Sequence, residues 1–494
     1  MPDNNKIKSD EIIQIARGQA VVEARQPIDK DCKVLSVSAT ACARPSEVFT
    51  GEVRYAGKVR FDCLVFAAGK TECISTVAEF SDKITSPKVT VGLNPQIIAD
   101  VVNCEATADG GGVKMVAVVD TVLDAAIHCD CETVIPDDSG IYTERKTIGY
   151  GTVIGEPSEV VYITDAVTDV KATDVLCVTS RAVINTVESG ADEIKISGCV
   201  YSSAVAETAD GLATPLRVVT PFVKSISAPG ADVGDVAYAN VCVTDSSATF
   251  VSDGEENRLE LSVTLSIDGT VVRTATAEVA VDVFCADSEL ETTTVQVTAC
   301  EFEPQTTVTD SVDGQIALAQ DRLAADNVLC VKGEFCTVTD AHADDGRVTV
   351  EGLVGGDIVY YNAESNAVDS IAFRLPFSMP LGIHTGAENV RATAVVTDVS
   401  VKVRRESVFD IKAETAFTVR LGSCEKVTIV ETVKRGAEIA RPDATIIVHI
   451  AKPGETLWQA ARALGCSPDR VTEQNANVEA PYSGGERLIN FCGK

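Results

Sequence analysis

Chemistry that runs through a nucleophile and its base needs an imidazole or a comparable base in a defined neighbourhood. This chain offers only four histidines, His128, His342, His384 and His449, and none stands in a catalytic motif. GxxxxGK[ST], GxSxG and HExxH are absent from the sequence. The run His128-Cys129-Asp130-Cys131 has metal-ligating types, but Cys-x-Cys on a strand sends both thiols to one face, and no second cysteine pair lies near in sequence. Gly110-Gly111-Gly112, after Asp109, reads as a hairpin loop rather than a phosphate cradle. No catalytic residue, metal or cofactor is therefore expected, and the chain reads as non-enzymatic.

The elements around these residues are written in β-sheet. Leu35, Val37, Ala39 and Ala41 alternate with Ser36, Ser38 and Thr40, which puts one face in a core and the other in water. Leu259, Leu261, Val263, Leu265 and Ile267 do the same. Asp268-Gly269 follows, which predicts a tight hairpin before the next run at Val279, Val281 and Val283. Three stretches resemble one another: CKVLSVSATA at Cys32, DVLCVTSRAV at Asp174 and NVLCVKGEF at Asn327. Each opens the same series. Leu35 and Gly57, Leu176 and Gly198, and Leu329 and Gly352 stand 22, 22 and 23 residues apart, and Phe80, Phe222 and Phe377 follow those glycines by 23, 24 and 25. The glycines themselves are 141 and 154 residues apart, a spacing of tandem globular units rather than of a short-period solenoid. Glycines at strand starts or bulges and phenylalanines in cores explain the landmarks; a shared peptide groove is the alternative.

Composition agrees with that class. A chain of 494 residues exceeds one hydrophobic core. Hydrophobic residues reach 45% and aromatics only 5%, with Val, Ala, Ile and Thr dominating, a mixture that favours pleated sheet. The net charge of −31 repels phosphate backbones and anionic lipid alike, so nucleic acid is not an expected partner. MPDNNKIKSDEIIQIA lacks the apolar core of a signal peptide, and no stretch of 18 uncharged apolar residues occurs, so no membrane insertion is expected. The 17 cysteines are odd in number and lack tight framework spacing. They read as reduced, with Cys63, Cys177, Cys242 and Cys330 as small buried hydrophobes.

The tail departs from this grammar. KRGAEIARPD, from Lys434, reads as a linker. Beyond it lie a short strand at Ile446–Ile450 and a Pro453-Gly454 turn. Thr456 is placed to cap a helix whose Leu457, Ala461 and Leu464 share one face and which Gly465 ends. A second helix follows from Ser467-Pro468 with Val471 inward, then Asn475, then a return strand at Leu488-Ile489. The predicted architecture is mainly β: three tandem sandwich- or barrel-like units at 1–135, 136–300 and 301–433, a linker at 434–445, and a small strand-helix-helix-strand module at 446–492.

The KPGETLW run at Lys452–Trp458, Ala461, Leu464, Asn475 and the closing RLIN resemble the LysM family. Ser483-Gly484-Gly485 stands where a Pro-Gly turn is common, and Asn490 where proline often follows. The resemblance implies a shallow groove for N-acetylglucosamine polymers such as peptidoglycan, lined by Gly454, Glu455, Thr456, Leu457, Asn475 and Asn477, with Trp458 beside them and equally suited to packing the small core.

Three β units with Phe-centred motifs before such a tail are similar to the SPOCS-domain spore coat morphogenesis proteins, from about Gln19 onward. That resemblance implies a cytoplasmic protein on the mother-cell side, at the forespore surface, which helps assemble the coat. Its tail would dock on a coat scaffold ATPase, and exposed thiols would cross-link chains if the coat is oxidised. A signal-less acidic chain does not reach external wall by itself, which favours a protein ligand over glycan.

Overall fold

The computed structural model describes residues 4–491 other than 29–30, 137, 139, 169–171, 208–212, 253–256, 319–326, 363–366, 405–407 and 440–444. Strand makes up 81% of it and helix 3%, so the chain is mainly β, as the alternating Val, Ala and Thr require. The first unit comprises β1 (Asn4–Pro27), β2 (Cys32–Phe49), β3 (Glu52–Ala67), β4 (Lys70–Thr85), β5 (Gln96–Asp109) and β6 (Gly112–Val134). The second runs through β7 (Ile141–Gly155), β8 (Ser158–Thr168), β9 (Asp174–Gly190), β10 (Glu193–Glu207), β11 (Ala213–Ser227), β12 (Val236–Ser252) and β13 (Asn257–Cys285). The third has β14 (Ser288–Phe302), β15 (Thr306–Ala317), β16 (Asn327–Asp344), β17 (Arg347–Asn362), β18 (Ala367–His384), β19 (Asn389–Arg404) and β20 (Val408–Glu438). The tail adds β21 (Ile446–Ile450), α1 (Leu457–Leu464), α2 (Pro468–Gln474) and β22 (Arg487–Phe491).

Each unit is a two-layer sandwich. One layer is a meander: β2-β3-β4, β9-β10-β11 or β16-β17-β18. The other is built on one long strand, β6, β13 or β20, with β5, β12 or β19 on one flank. Val37, Val59, Phe61, Met115 and Val119 fill the first core, Ile194, Ile196, Leu261 and Leu265 the second, and Val354, Ile358, Phe373 and Phe409 the third. Full burial of such side chains contributes about 1.5–3 kcal/mol each, well above the about 0–1 kcal/mol of an exposed ion pair, so these interiors rather than the many surface charges hold the units.

The spacing landmarks turn out to be one contact repeated three times. Gly57 faces Phe80 across β3 and β4, Gly198 faces Phe222 across β10 and β11, and Gly352 faces Phe377 across β17 and β18. The aromatic ring lies over the glycine. A Cβ on Gly198 would stand 2.6 Å from Phe222 Cζ and 2.3 Å from the Val183 carbonyl oxygen; on Gly352 it would meet Phe377 Cζ at 2.7 Å and the Thr337 oxygen at 2.3 Å.

Leu35, Leu176 and Leu329 are also equivalent, each the unpaired residue of a β-bulge. A bulge re-aims its side chain, and all three leucines meet in one cluster with Leu64, Cys177, Val205, Cys330 and Val359. The units therefore close around a common axis. Arg60 of the first donates to the Ser246 oxygen of the second at 2.6 Å, Thr307 of the third to the Ile184 oxygen of the second at 2.7 Å, and Ser36 of the first to Asp357 of the third at 2.8 Å.

Beyond the sandwiches the long strands continue as three two-stranded arms, β1/β6, β7/β13 and β14/β20. Their inner faces bury Ile7, Ile148, Val279, Val297, Val427 and Ile429 together. In the second and third units the partner of the long strand changes from β7 to β8 and from β14 to β15, at Glu156-Pro157 and Glu303-Pro304. Proline has no N–H for the ladder, which breaks the strand there; the first unit lacks it, and β1 continues with a single bulge after Gln14.

Three expectations need correction. The chain does not turn at Asp268-Gly269: β13 passes straight through, with Asp268 facing both Asn240 and Ser158. Gly269 serves a close approach instead, donating to the Pro157 oxygen at 2.7 Å with Ile194 Cδ1 only 2.7 Å from where a Cβ would be. The third unit starts near Ser288 rather than at 301, because β14 pairs with β20, and β20 extends to Glu438, so 434–438 is strand rather than linker. Residues 440–444 of the expected linker lie outside the described residues. Finally, not all cysteines are reduced, since Cys300 and Cys424, directly opposed across β14 and β20, form a disulfide.

Replacing Gly198 or Gly352 by alanine should destabilise the chain by about 1–3 kcal/mol, the typical cost of overpacking. Urea unfolding checks this; a midpoint unchanged from wild type would show that the ring over glycine is not a tight contact.

Candidate binding site in the C-terminal module

The tail folds as strand, helix, helix, strand. Thr456 caps α1 with a capping box to Gln459, and Gly465, with φ of 62°, closes it. Ser467 caps α2, whose first residue is Pro468. Ala460, Ala461, Leu464, Val471, Tyr482 and Leu488 make a small core that includes Phe284 of β13. The module is thus seated on the second arm. Trp458 packs edge-to-face on Phe284 with centroids 4.9 Å apart, and its indole N–H donates to Asp282 Oδ2 at 2.8 Å. Arg462 donates to Asp282 Oδ1 at 2.7 Å and to the Val283 oxygen at 2.6 Å. The Arg462–Asp282 pair is partly exposed and is worth at most about 1 kcal/mol. The aromatic contact and the buried area behind it therefore do most of the seating.

The residues expected in a groove separate into two groups. Trp458, 9% exposed, is committed to the arm, and Asn475, 8% exposed, is an internal clamp. Asn475 donates to the Val471 and Ile489 oxygens at 2.8 and 2.9 Å and accepts from the Ile489 amide at 2.8 Å, tying α2 to β22. Glu455 is buried, accepting from the Lys452 amide at 2.7 Å and standing 2.8 Å from His449 Nε2. Gly454, with φ of 76°, Thr456 and Asn477 are exposed, and Leu457 is half-buried. The loop after β21 meets the loop between α2 and β22: Gly454 donates to the Tyr482 oxygen at 2.8 Å and Tyr482 to the Glu455 oxygen at 3.0 Å. Gly484 packs on Pro453, where a Cβ would come within 2.6 Å of Cγ, so the Ser483-Gly484-Gly485 turn closes tightly on the Pro453-Gly454 turn. On the ribbon, Ile446, Val448, Ile450 and Phe491 are exposed.

Two cavities lie inside the body. One, of about 220 Å³, sits among all three units and is lined by Cys42, Asp100, Arg181, Cys242, Glu334 and Cys336 among others. A second, of about 300 Å³, lies where sandwiches meet arms. There Arg391 of the third unit pairs with Asp124 of the first at 3.2 Å, while Arg420 bonds Asn240 of the second at 2.7 Å and stacks over Tyr238 at 5.3 Å. Burial lowers the Arg420 pKa and raises that of Asp124. The Arg391–Asp124 ion pair and the Arg420–Asn240 hydrogen bond thus both cross unit boundaries. Among the described residues no group of three or more His, Cys, Asp or Glu side chains is placed to hold a metal, and no helix is long and apolar enough to cross a membrane. No family model, curated protein or solved structure matches the chain.

Sequence reasoning had no signal for Asp282, Phe284 or Tyr142, the arm residues under the module, because nothing in an alternating strand marks which end receives a partner. As the chain has one tryptophan, Asp282→Ala should red-shift its emission while the sheet signal in circular dichroism stays unchanged; an unshifted spectrum would remove Asp282 from the seat. Burial opposes ionisation of Glu455, but the Lys452 amide and His449 outweigh it, so its carboxyl lies below its ordinary pKa. The stability it lends is complete above the ordinary carboxylate range and is lost as pH falls through the lowered value. Glu455→Gln should therefore reduce the melting temperature followed by Trp458 at neutral pH and have little effect at strongly acidic pH.

Proposed function

We propose that the chain is a non-enzymatic assembly adaptor of the SPOCS type, working in spore coat morphogenesis, whose LysM-like tail docks on a coat scaffold protein. The observation that supports this best is the fixed seat of the module. The module commits Trp458 and Arg462 to the second arm and so holds its exposed loops at a set position relative to three β units. A partner gripped by Gly454, Thr456, Leu457 and Asn477 would be oriented against the platform, which is what joining one protein layer to another requires. The acidic surface suits a protein partner with basic patches and disfavours anionic lipid. The place of action that follows is the mother-cell side of the forespore surface.

The test is a comparison of the full chain with a version ending at 439 in affinity purification from sporulating cells. The full chain should retain the coat scaffold and the shortened one should lose it, with the sheet signal in circular dichroism retained. Scaffold retained by the shortened chain would overturn the reading. Retention of the full chain on insoluble peptidoglycan, released by N-acetylglucosamine oligomers, would replace it with the glycan-binding alternative.

A further inference from the structure

Arg420 stands where the three units meet, and its protein partners are all neutral. Its Nε donates to Gln305 Oε1 at 3.2 Å, its Nη2 donates to Asn240 Oδ1 at 2.7 Å, and its Cζ lies over the Tyr238 ring. Among the described residues no carboxylate pairs with it, and Nη1 has no acceptor. The neighbouring Arg391 takes the Asp124 carboxylate instead, through Nη1 at 3.2 Å, and its Nη2 donates to the Ile12 oxygen at 3.3 Å. Both guanidinium groups line the cavity of about 300 Å³, whose apolar lining includes Ile13, Ala125, Ala126, Phe302 and Val390. A cation withdrawn from bulk water and held only by neutral groups is costly until an anion joins it. Burial already lowers the Arg420 pKa.

We propose that this cavity binds a small organic monocarboxylate, with the carboxylate on Arg420 and the apolar body against Ala126, Phe302 and Val390. Charge selects that class. Arg391 and Arg420 bring two positive charges and Asp124 one negative, so the guanidinium pair has room for one more anionic charge. Glu11, Glu156 and Glu388 line the same cavity and oppose a second, which disfavours phosphate and dicarboxylates. The planar fork of a guanidinium also matches a carboxylate in shape. The volume lies at the lower end of ligand pockets, which span about 300–1,000 Å³, so the body is small. Asp124 and Ala126 belong to the first unit, Tyr238 and Asn240 to the second, and Arg391 and Arg420 to the third. A ligand held there therefore ties the three units together.

The test is calorimetric titration of the full chain with benzoate and with hexanoate, against benzamide and inorganic phosphate as controls. At least one of the two carboxylates should bind saturably and raise the melting temperature. Benzamide and phosphate should bind about tenfold or more weaker, the loss expected when a charge-assisted hydrogen bond is not made. Ala126→Leu fills the cavity from the face of β6 that carries Asp124 and leaves Arg420 in place, so it should abolish binding. Arg420→Lys, which loses the fork, should weaken binding about tenfold or more. Because Arg420 also joins units and leucine at 126 adds bulk to an interior, the comparison of carboxylates with benzamide on the unaltered chain decides if either variant does not fold. No saturable binding of either carboxylate, equal binding of benzamide or phosphate, or binding unchanged in a folded Ala126→Leu chain would overturn the assignment.

Discussion

The three long strands are the constraint on which everything else depends. Each of β6, β13 and β20 lies half in its own sandwich and half in an arm shared with the other two. A strand cannot slip by one residue without turning its buried set to water, so the register of each sandwich fixes the height of its arm. The shared arm interior in turn fixes the sandwiches against one another. The bulged leucines close the opposite end in the same way. The units are repeats in sequence and one object in packing.

Much of this was legible residue by residue. The alternation at Leu259–Ile267 placed a strand, the recurrent Leu, Gly and Phe positions counted the units, and Thr456, Gly465 and Ser467-Pro468 bounded both helices, because capping and periodicity are local. The meaning of the Gly and Phe spacing was not local. It encodes a cross-strand pair, and a single sequence cannot say which strands are neighbours. Asp268-Gly269 misled for the same reason. Its composition is that of a turn, but long-range pairing on both flanks of β13 overrode it. Boundaries also slipped, since β14 is adjacent in sequence to the second unit but bonded to β20.

The module shows a similar division. Its internal fold follows from nearby residues, whereas its seat depends on Asp282 and Phe284, 176 and 174 residues before Trp458. That seat changes what the expected groove residues do. Trp458 and Asn475 are structural, one joining module to body and one joining helix to strand, while Gly454, Thr456 and Asn477 stay exposed and Leu457 half-buried. The cysteines divide too: one pair is closed in the third arm, and among the other described cysteines Cys63, Cys177 and Cys330 sit in interiors as expected, whereas Cys242 is only partly buried.

The closure of three units in one covalent chain has a further consequence, seen at three equivalent positions beside the axial cluster: Cys73 opposite Leu64, Pro215 opposite Val205 and Ser370 opposite Val359. A ring of three identical subunits must present the same residue three times and carry three tails. Fusion removes that obligation. Each boundary has diverged into its own chemistry, and there is one tail for every three sandwiches. The object is therefore polar around its axis, with a single arm singled out by the module seated on it.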